Sequence, residues 1–244
     1  VFLWDEMPLM VGNIKADHGE KVAMELLDTL RDLRQTHPTL RMVYTGSIGL
    51  HHVITALKQA GYANAPTNDM HKVDVPPLSP EDAQALALQL LKGEAVEADE
   101  PEKTAQEIAD AVDCCPYYIH HVVDALLDQG GTIDEIVGKN LTASGDPWDL
   151  RHYHERIGTY YTPEQRPFVL NLLDVLATTE TPISFDELFN RLKSKMETED
   201  SDTVRNVLRL LQDDHYITHH QDGTFQFQFS IVQRWWQLER GLAT

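Results

Sequence analysis

Positive charge is scarce in this sequence: 20 Lys and Arg stand against 39 Asp and Glu, a formal net charge of −19 at pH 7. The deficit is uneven. Residues 1–75 carry 9 acids against 7 bases, residues 76–145 carry 14 against 3, and residues 146–244 carry 16 against 10. None of these segments offers the clustered Lys and Arg that displace counterions from a nucleic-acid backbone. Cysteine is nearly absent as well. Cys114 and Cys115 are adjacent, which makes neither a disulfide framework nor a spaced metal motif and points to a reduced, cytoplasmic setting. No apolar run reaches the length of a membrane span, and no basic-then-apolar leader stands at the start. Internal repeats and low-complexity tracts are also missing.

What is present is an ordinary globular composition, 42% hydrophobic and 24% charged over 244 residues. That length accommodates one large domain or two to three small ones. The chain opens on the apolar run Val1 to Trp4, which reads as a piece of something longer because a chain rarely starts inside its own core. That run ends in Asp5-Glu6, the pattern of a buried parallel strand with acids at its C-terminal edge. After a loop holding Pro8 and Gly12, Val22, Leu26, Leu30 and Leu33 recur at helical spacing. Leu40 to Thr45 reads as a second strand, Gly46-Ser47 opens a helical segment with Val53, Ile54 and Leu57, and Val73-Asp74-Val75 reads as a third short strand. Alternating strands and helices predict an α/β parallel sheet, here about half a domain over residues 1–75.

Pro76-Pro77-Leu78-Ser79-Pro80 is a stiff break. The periodicity beyond it is helical throughout, with an acidic loop expected from Gly93 to Glu102, so residues 76–145 are read as a small all-α bundle. Asn140 to Trp148 marks the next boundary. In residues 146–244 one helix is expected around Phe168, Leu172 and Val175. A second starts at the capping box Ser184-Phe185-Asp186-Glu187 with Ile183 and Leu188 as its hydrophobic staple. A third carries Val204, Val207, Leu208 and Leu211. Period-two alternation around Asp222-Gly223 then predicts a hairpin. Three helices followed by a β-hairpin describe a winged helix.

Asp5 and Glu6 are the residues most charged with chemistry. Two acids at the end of a buried strand are costly unless something demands them. In a nucleotide hydrolase the first helps hold Mg²⁺ through its waters and the second polarises the attacking water. An apolar strand also often ends in a solvated acid, and that reading stands beside it. A parallel neighbour ending at Thr45 would place Thr45 or Ser47 beside the acids, while Ser47 also suits a helix N-cap. The adjacent pairs His51-His52, His120-His121 and His219-His220 point their rings apart and do not read as metal ligands. Trp235-Trp236 reads as packing within its own domain, with base stacking as the alternative.

These residues resemble a known family. Val1 to Glu6 is similar to a Walker B strand, and Val43-Tyr44-Thr45-Gly46-Ser47 resembles the sensor-1 strand of AAA+/STAND P-loop ATPases, in particular the archaeal-type and related bacterial proteins. Val75 to Ala83 looks like their lead-in to a helical lid. Ala109 to Ile119 resembles the lid motif in which Gly-x-Pro precedes an apolar helix, and Phe227 to Trp236 the end of the winged-helix domain that follows. The resemblance covers nearly the whole chain. It implies three bodies: residues 1–75 as the C-terminal half of the ATPase core, 76–145 as the lid and 146–244 as the winged helix. It also implies ATP and Mg²⁺ as cofactors, Asp5 as the water-mediated metal ligand, Asp5, Glu6, Thr45 and Ser47 as the catalytic group, and Pro116 as the adenine contact.

Three departures matter. No G-x-x-x-x-G-K-S/T motif occurs in the chain, so the loop that cradles phosphates is not among these residues. Cys114 stands where the family usually has glycine. No arginine occurs between Arg41 and Arg151, so the lid offers none to a γ-phosphate. The expected function is a nucleotide-dependent ATPase switch, active in an intact protein and inactive as this stretch alone. The alternative is a winged-helix nucleic-acid or adaptor protein with a degenerate ATPase domain. The expected partners are a nucleotide and a protein bound through the winged helix, with DNA disfavoured by the acidic charge and no membrane.

Overall fold

The computed structural model describes residues 1–46, 49–196 and 200–242. It is mostly helical with two small sheets, and it divides into two units, Val1–Asp74 and Val75–Thr244.

In the first unit, strand β1 (Phe2–Trp4) leads through helices α1 (Met7–His18) and α2 (Glu20–Thr36) to strand β2 (Met42–Tyr44), followed by helix α3 (His51–Gln59). β1 and β2 pair in parallel, with Phe2 opposite Met42 and Trp4 opposite Tyr44. The stretch around Pro8 and Gly12, expected as a loop, is helical. Pro8 lies in the first turn of α1, where its missing N–H has no helical partner to lose. Gly19 (φ 89°) turns the chain directly into α2, a backbone angle that side-chain-bearing residues avoid. Met7 and Val11 of α1, Met24, Leu27 and Leu30 of α2 and Leu57 of α3 form the core, with Trp4, Met42 and Tyr44 packed against it.

Two strand expectations are corrected. β1 is not buried: Leu3 is 75% and Phe2 51% exposed. Alternation sends Trp4, Met42 and Tyr44 to the helical side, whereas Leu3 and Val43 face away from it. Val73-Asp74-Val75 forms no strand, and both valines are exposed. An apolar pair without a neighbouring strand gains neither ladder hydrogen bonds nor burial by extending.

The second unit begins with helices α4 (Pro80–Gly93), α5 (Pro101–Ala111), α6 (Pro116–Gln129) and α7 (Ile133–Leu141). Ser79 caps α4 by accepting from the Asp82 N–H. Thr132 and Glu135 form a reciprocal capping box on α7. There follow α8 (His152–Tyr160), α9 (Arg166–Ala177), β3 (Ile183–Ser184), α10 (Phe185–Met196), α11 (Ser201–Asp213), β4 (Ile217–His219), β5 (Thr224–Phe227) and α12 (Ser230–Glu239). The sheet has the order β3-β5-β4 and is antiparallel.

Local signals operate as the sequence suggests. Ser184 Oγ accepts from the Glu187 N–H, while the Glu187 carboxylate takes Arg191 instead. α11 buries Val204, Val207, Leu208 and Leu211. Gly223 turns the hairpin at φ 84°, and Asp222 Oδ1 accepts from the Thr224 N–H. One hydrophobic core runs through the unit from Ala83 to Trp236. Trp235 and Trp236 are both buried in it, which makes them packing residues.

Candidate functional site

The strand ladder continues one step past β1 and β2. Thr45 N–H donates to the Trp4 carbonyl at 2.9 Å, and the Thr45 carbonyl accepts from Met7 N–H at 3.0 Å. These two bonds bracket Asp5 and Glu6 at the C-terminal edge of the parallel pair. Across that edge the Thr45 hydroxyl donates to Asp5 Oδ1 at 2.6 Å, and the same oxygen accepts from Glu6 N–H at 3.0 Å. Asp5 and Thr45 are exposed and Glu6 half-buried. Glu6 holds φ 50° and ψ 36° as it starts α1, a left-handed conformation that a side-chain-bearing residue adopts at a cost of about 1–2 kcal/mol. The sharp turn lets strand pass directly into helix, so the two acids and the first turn of α1 stand together. Ser47, assigned to the same group from sequence, lies outside the described residues.

Beside β2 a half-buried clamp centres on Arg34. The Arg34 guanidinium donates to Asp69 at 2.7 and 3.1 Å, to Tyr44 Oη at 2.9 Å and to the Pro66 carbonyl at 2.7 Å. It ties the end of α2, the residue before Thr45 and the loop after α3 to one planar group. The hydrogen bond from Arg34 holds the Asp69 carboxyl below the usual carboxylate range. Sequence reasoning passed over this clamp, because Asp69 lies 35 residues from Arg34 and neither carries a motif.

Asp5 and Thr45 offer hard oxygen donors. That donor set fits Mg²⁺, which is commonly bound by one or two carboxylates while keeping several waters. Asp5 would hold the ion through waters, with Thr45 fixing the rotamer of its carboxylate.

Pro116 belongs to the second unit, as the first residue of α6, and is half-buried. The turn before it is unusual: Asp113 (φ 54°) and Cys114 (φ 55°) are consecutive non-glycine residues in the left-handed region. Cys114 therefore occupies the backbone conformation that glycine adopts most readily, at the position where glycine was expected from the resemblance. Cys114 N–H donates to the Ala109 carbonyl at 2.8 Å, and its own carbonyl accepts from Leu78 N–H at 3.1 Å. Burial pushes the Cys115 thiol up despite hydrogen bonds from the Tyr117 and Tyr118 N–H groups, and burial raises Cys114 too.

No protein-family model and no curated protein matches the chain. Among solved structures, a Walker-type ATPase of Pyrococcus abyssi superposes with a TM-score of 0.68 at 14% identity, over 96% of this chain and 62% of that one. This chain thus spans less than two-thirds of that protein's length. At such identity the likeness is one of fold. The fold of this chain is thus shared with a Walker-type ATPase.

Proposed function

We propose that this chain serves in a nucleotide-dependent ATPase switch, with Asp5, Glu6 and Thr45 as its hydrolytic edge. The observation that carries the reading is the Thr45–Asp5 hydrogen bond of 2.6 Å across two parallel strands. A hydroxyl held on Asp5 Oδ1 from the next strand fixes which carboxylate oxygen is left to face an ion. In this reading Asp5 holds Mg²⁺ through water. Glu6, placed beside it by the left-handed turn, orients the attacking water and accepts its proton. Catalysis of phosphoryl transfer is mostly positioning and charge stabilisation, and these residues supply the water side of it. The bound ion supplies charge neutralisation for the phosphates.

We assign α4 to α7 to a helical lid, with Pro116 as the adenine contact, and α8 to α12 to a winged helix. The element order α9, β3, α10, α11, β4, β5 supports the second assignment. The experiment is equilibrium binding of a fluorescent ATP analogue to the full chain, with and without Mg²⁺. Asp5→Ala should abolish the Mg²⁺ enhancement while leaving metal-free binding in place, and Pro116→Gly should weaken both. Mg²⁺ enhancement that survives Asp5→Ala would remove the assignment.

A further inference from the structure

Helix α12 begins without a cap of its own. The residue at its N-cap position is Phe229, whose side chain accepts no hydrogen bond, yet helix starts leave up to four N–H groups in need of partners. The missing acceptor comes from elsewhere in the fold. Asp113 Oδ2 accepts from the Ile231 N–H at 2.9 Å, across 118 residues. Ile231 is the second residue of α12, and an N-cap side chain normally bonds the N–H at the second or third position. Asp113 does the same from the left-handed turn that immediately precedes Cys115 and Pro116.

The other side of α12 is fastened just as specifically. Gln233 Nε2 donates to the Leu176, Ala177 and Thr179 carbonyls at 3.3, 3.2 and 2.9 Å, where α9 ends and its last carbonyls lack helical partners. The α5–α6 turn thus caps α12, and α12 in turn caps α9. A shift of the turn cannot leave α12 in place without costing the Ile231 N–H and the Asp113 carboxylate their shared bond.

We propose that Asp113 is the strut through which the turn carrying Pro116 controls the N-terminus of α12, and through α12 the end of α9. The signalling half of this proposal rests on the reading of Pro116 as a nucleotide contact. The strut itself does not. A ligand held against the turn moves Asp113 relative to Ile231, and the first turn of α12 frays or tightens in response. The negative charge of Asp113 fits this role, because a carboxylate at a helix start is favoured by the partial positive charge there.

The test is hydrogen–deuterium exchange of the full chain, read by mass spectrometry, on wild type, Asp113→Gly and Asp113→Asn. Glycine accepts φ 54° without strain and removes only the cap, whereas asparagine keeps an oxygen acceptor and tolerates the same backbone. Without ligand, Asp113→Gly should speed exchange over residues 231–233 about three- to tenfold, the scale of a lost N-cap, with Asp113→Asn close to wild type. Wild-type protection in Asp113→Gly overturns the strut. With millimolar Mg²⁺ and ATP, exchange should change over residues 117–119 and 231–239 in wild type and Asp113→Asn, and only over 117–119 in Asp113→Gly. A change confined to 117–119 in all three overturns the coupling and leaves the nucleotide reading intact. No change in either segment overturns the nucleotide reading and the signal with it, while the ligand-free comparison still decides the strut.

Discussion

The Thr45 hydroxyl donates a hydrogen bond to Asp5 Oδ1 at 2.6 Å, from the residue just past β2 to the residue just past β1. The contact joins two positions 40 residues apart at the point where parallel strands end, and it leaves the rest of the Asp5 carboxylate facing outward on an exposed residue. Glu6 follows in a left-handed turn at the start of α1. In the proposed reading the first acid serves the cation and the second the water.

Glu6→Gln tests that division. In the intact protein, ATP binding should persist and hydrolysis should slow by about a hundredfold or more, the usual scale of lost general-base help. Steady-state phosphate release beside analogue binding gives both numbers. Turnover equal to wild type would show that Glu6 is not the base.

Residues 1–244 by themselves should not turn over ATP. They contain no G-x-x-x-x-G-K-S/T motif, and positioning of the β- and γ-phosphates is what such a loop and its lysine provide. A phosphate-release assay on the purified chain checks this. Mg²⁺-dependent release abolished by Asp5→Ala would mean that the site is complete without the loop.

Asp174 should be the most sensitive acid in the second unit. It is buried, and it accepts from Trp236 Nε1 at 2.9 Å and from Arg240 Nε and Nη2 at 3.0 and 2.9 Å. Burial alone would raise its pKa, but the bonds from Arg240 and Trp236 outweigh burial and hold it below the ordinary value. A depressed folded pKa contributes stability that is complete above the unfolded value, about 3.9, and is lost as pH falls through the folded one. Asp174→Ala should destabilise by roughly 2–4 kcal/mol, since it leaves the Trp236 N–H and the Arg240 charge without their acceptor. Urea unfolding at pH 7 and at successively lower pH should show the gap between wild type and variant narrowing only in the acid range. A gap independent of pH there would assign the loss to packing alone.

Duplex DNA should bind the full chain weakly, with a dissociation constant at or above about 10⁻⁴ M at physiological salt, the weak end of non-specific binding. Residues 146–244 carry 16 acids against 10 bases. On α11, Arg205 lies over the Phe185 ring with 3.6 Å to its centroid, which holds the guanidinium against its own domain. A titration at several salt concentrations decides the matter. Tight binding with a steep salt slope, lost in Arg205→Ala or Arg209→Ala, would make the winged-helix reading one of DNA recognition.

The sequence by itself determined the features whose physics is local. Val204, Val207, Leu208 and Leu211 mark one face of α11 because a helix repeats every 3.6 residues, and they are the residues α11 buries. Alternation around Asp222-Gly223 set the hairpin, because the turn needs the positive φ that Gly223 adopts. Val1 to Glu6 and Leu40 to Thr45 announced two strands with acids and a hydroxyl at their ends. Tertiary structure decided what no local pattern encodes. It placed Thr45 on Asp5, Arg34 on Asp69, Asp113 on Ile231 and Asp174 on Arg240, partners 35 to 118 residues apart. It also made α1 a helix where Pro8 and Gly12 suggested a loop, because Met7 and Val11 gain a core with Leu27 and Leu57 and burial of such side chains outweighs a weak local preference. Periodicity reports which face of an element is apolar. Which other element covers that face, and which polar groups the packing then brings within about 3 Å of one another, the usual hydrogen-bond distance, is settled only when the chain has folded.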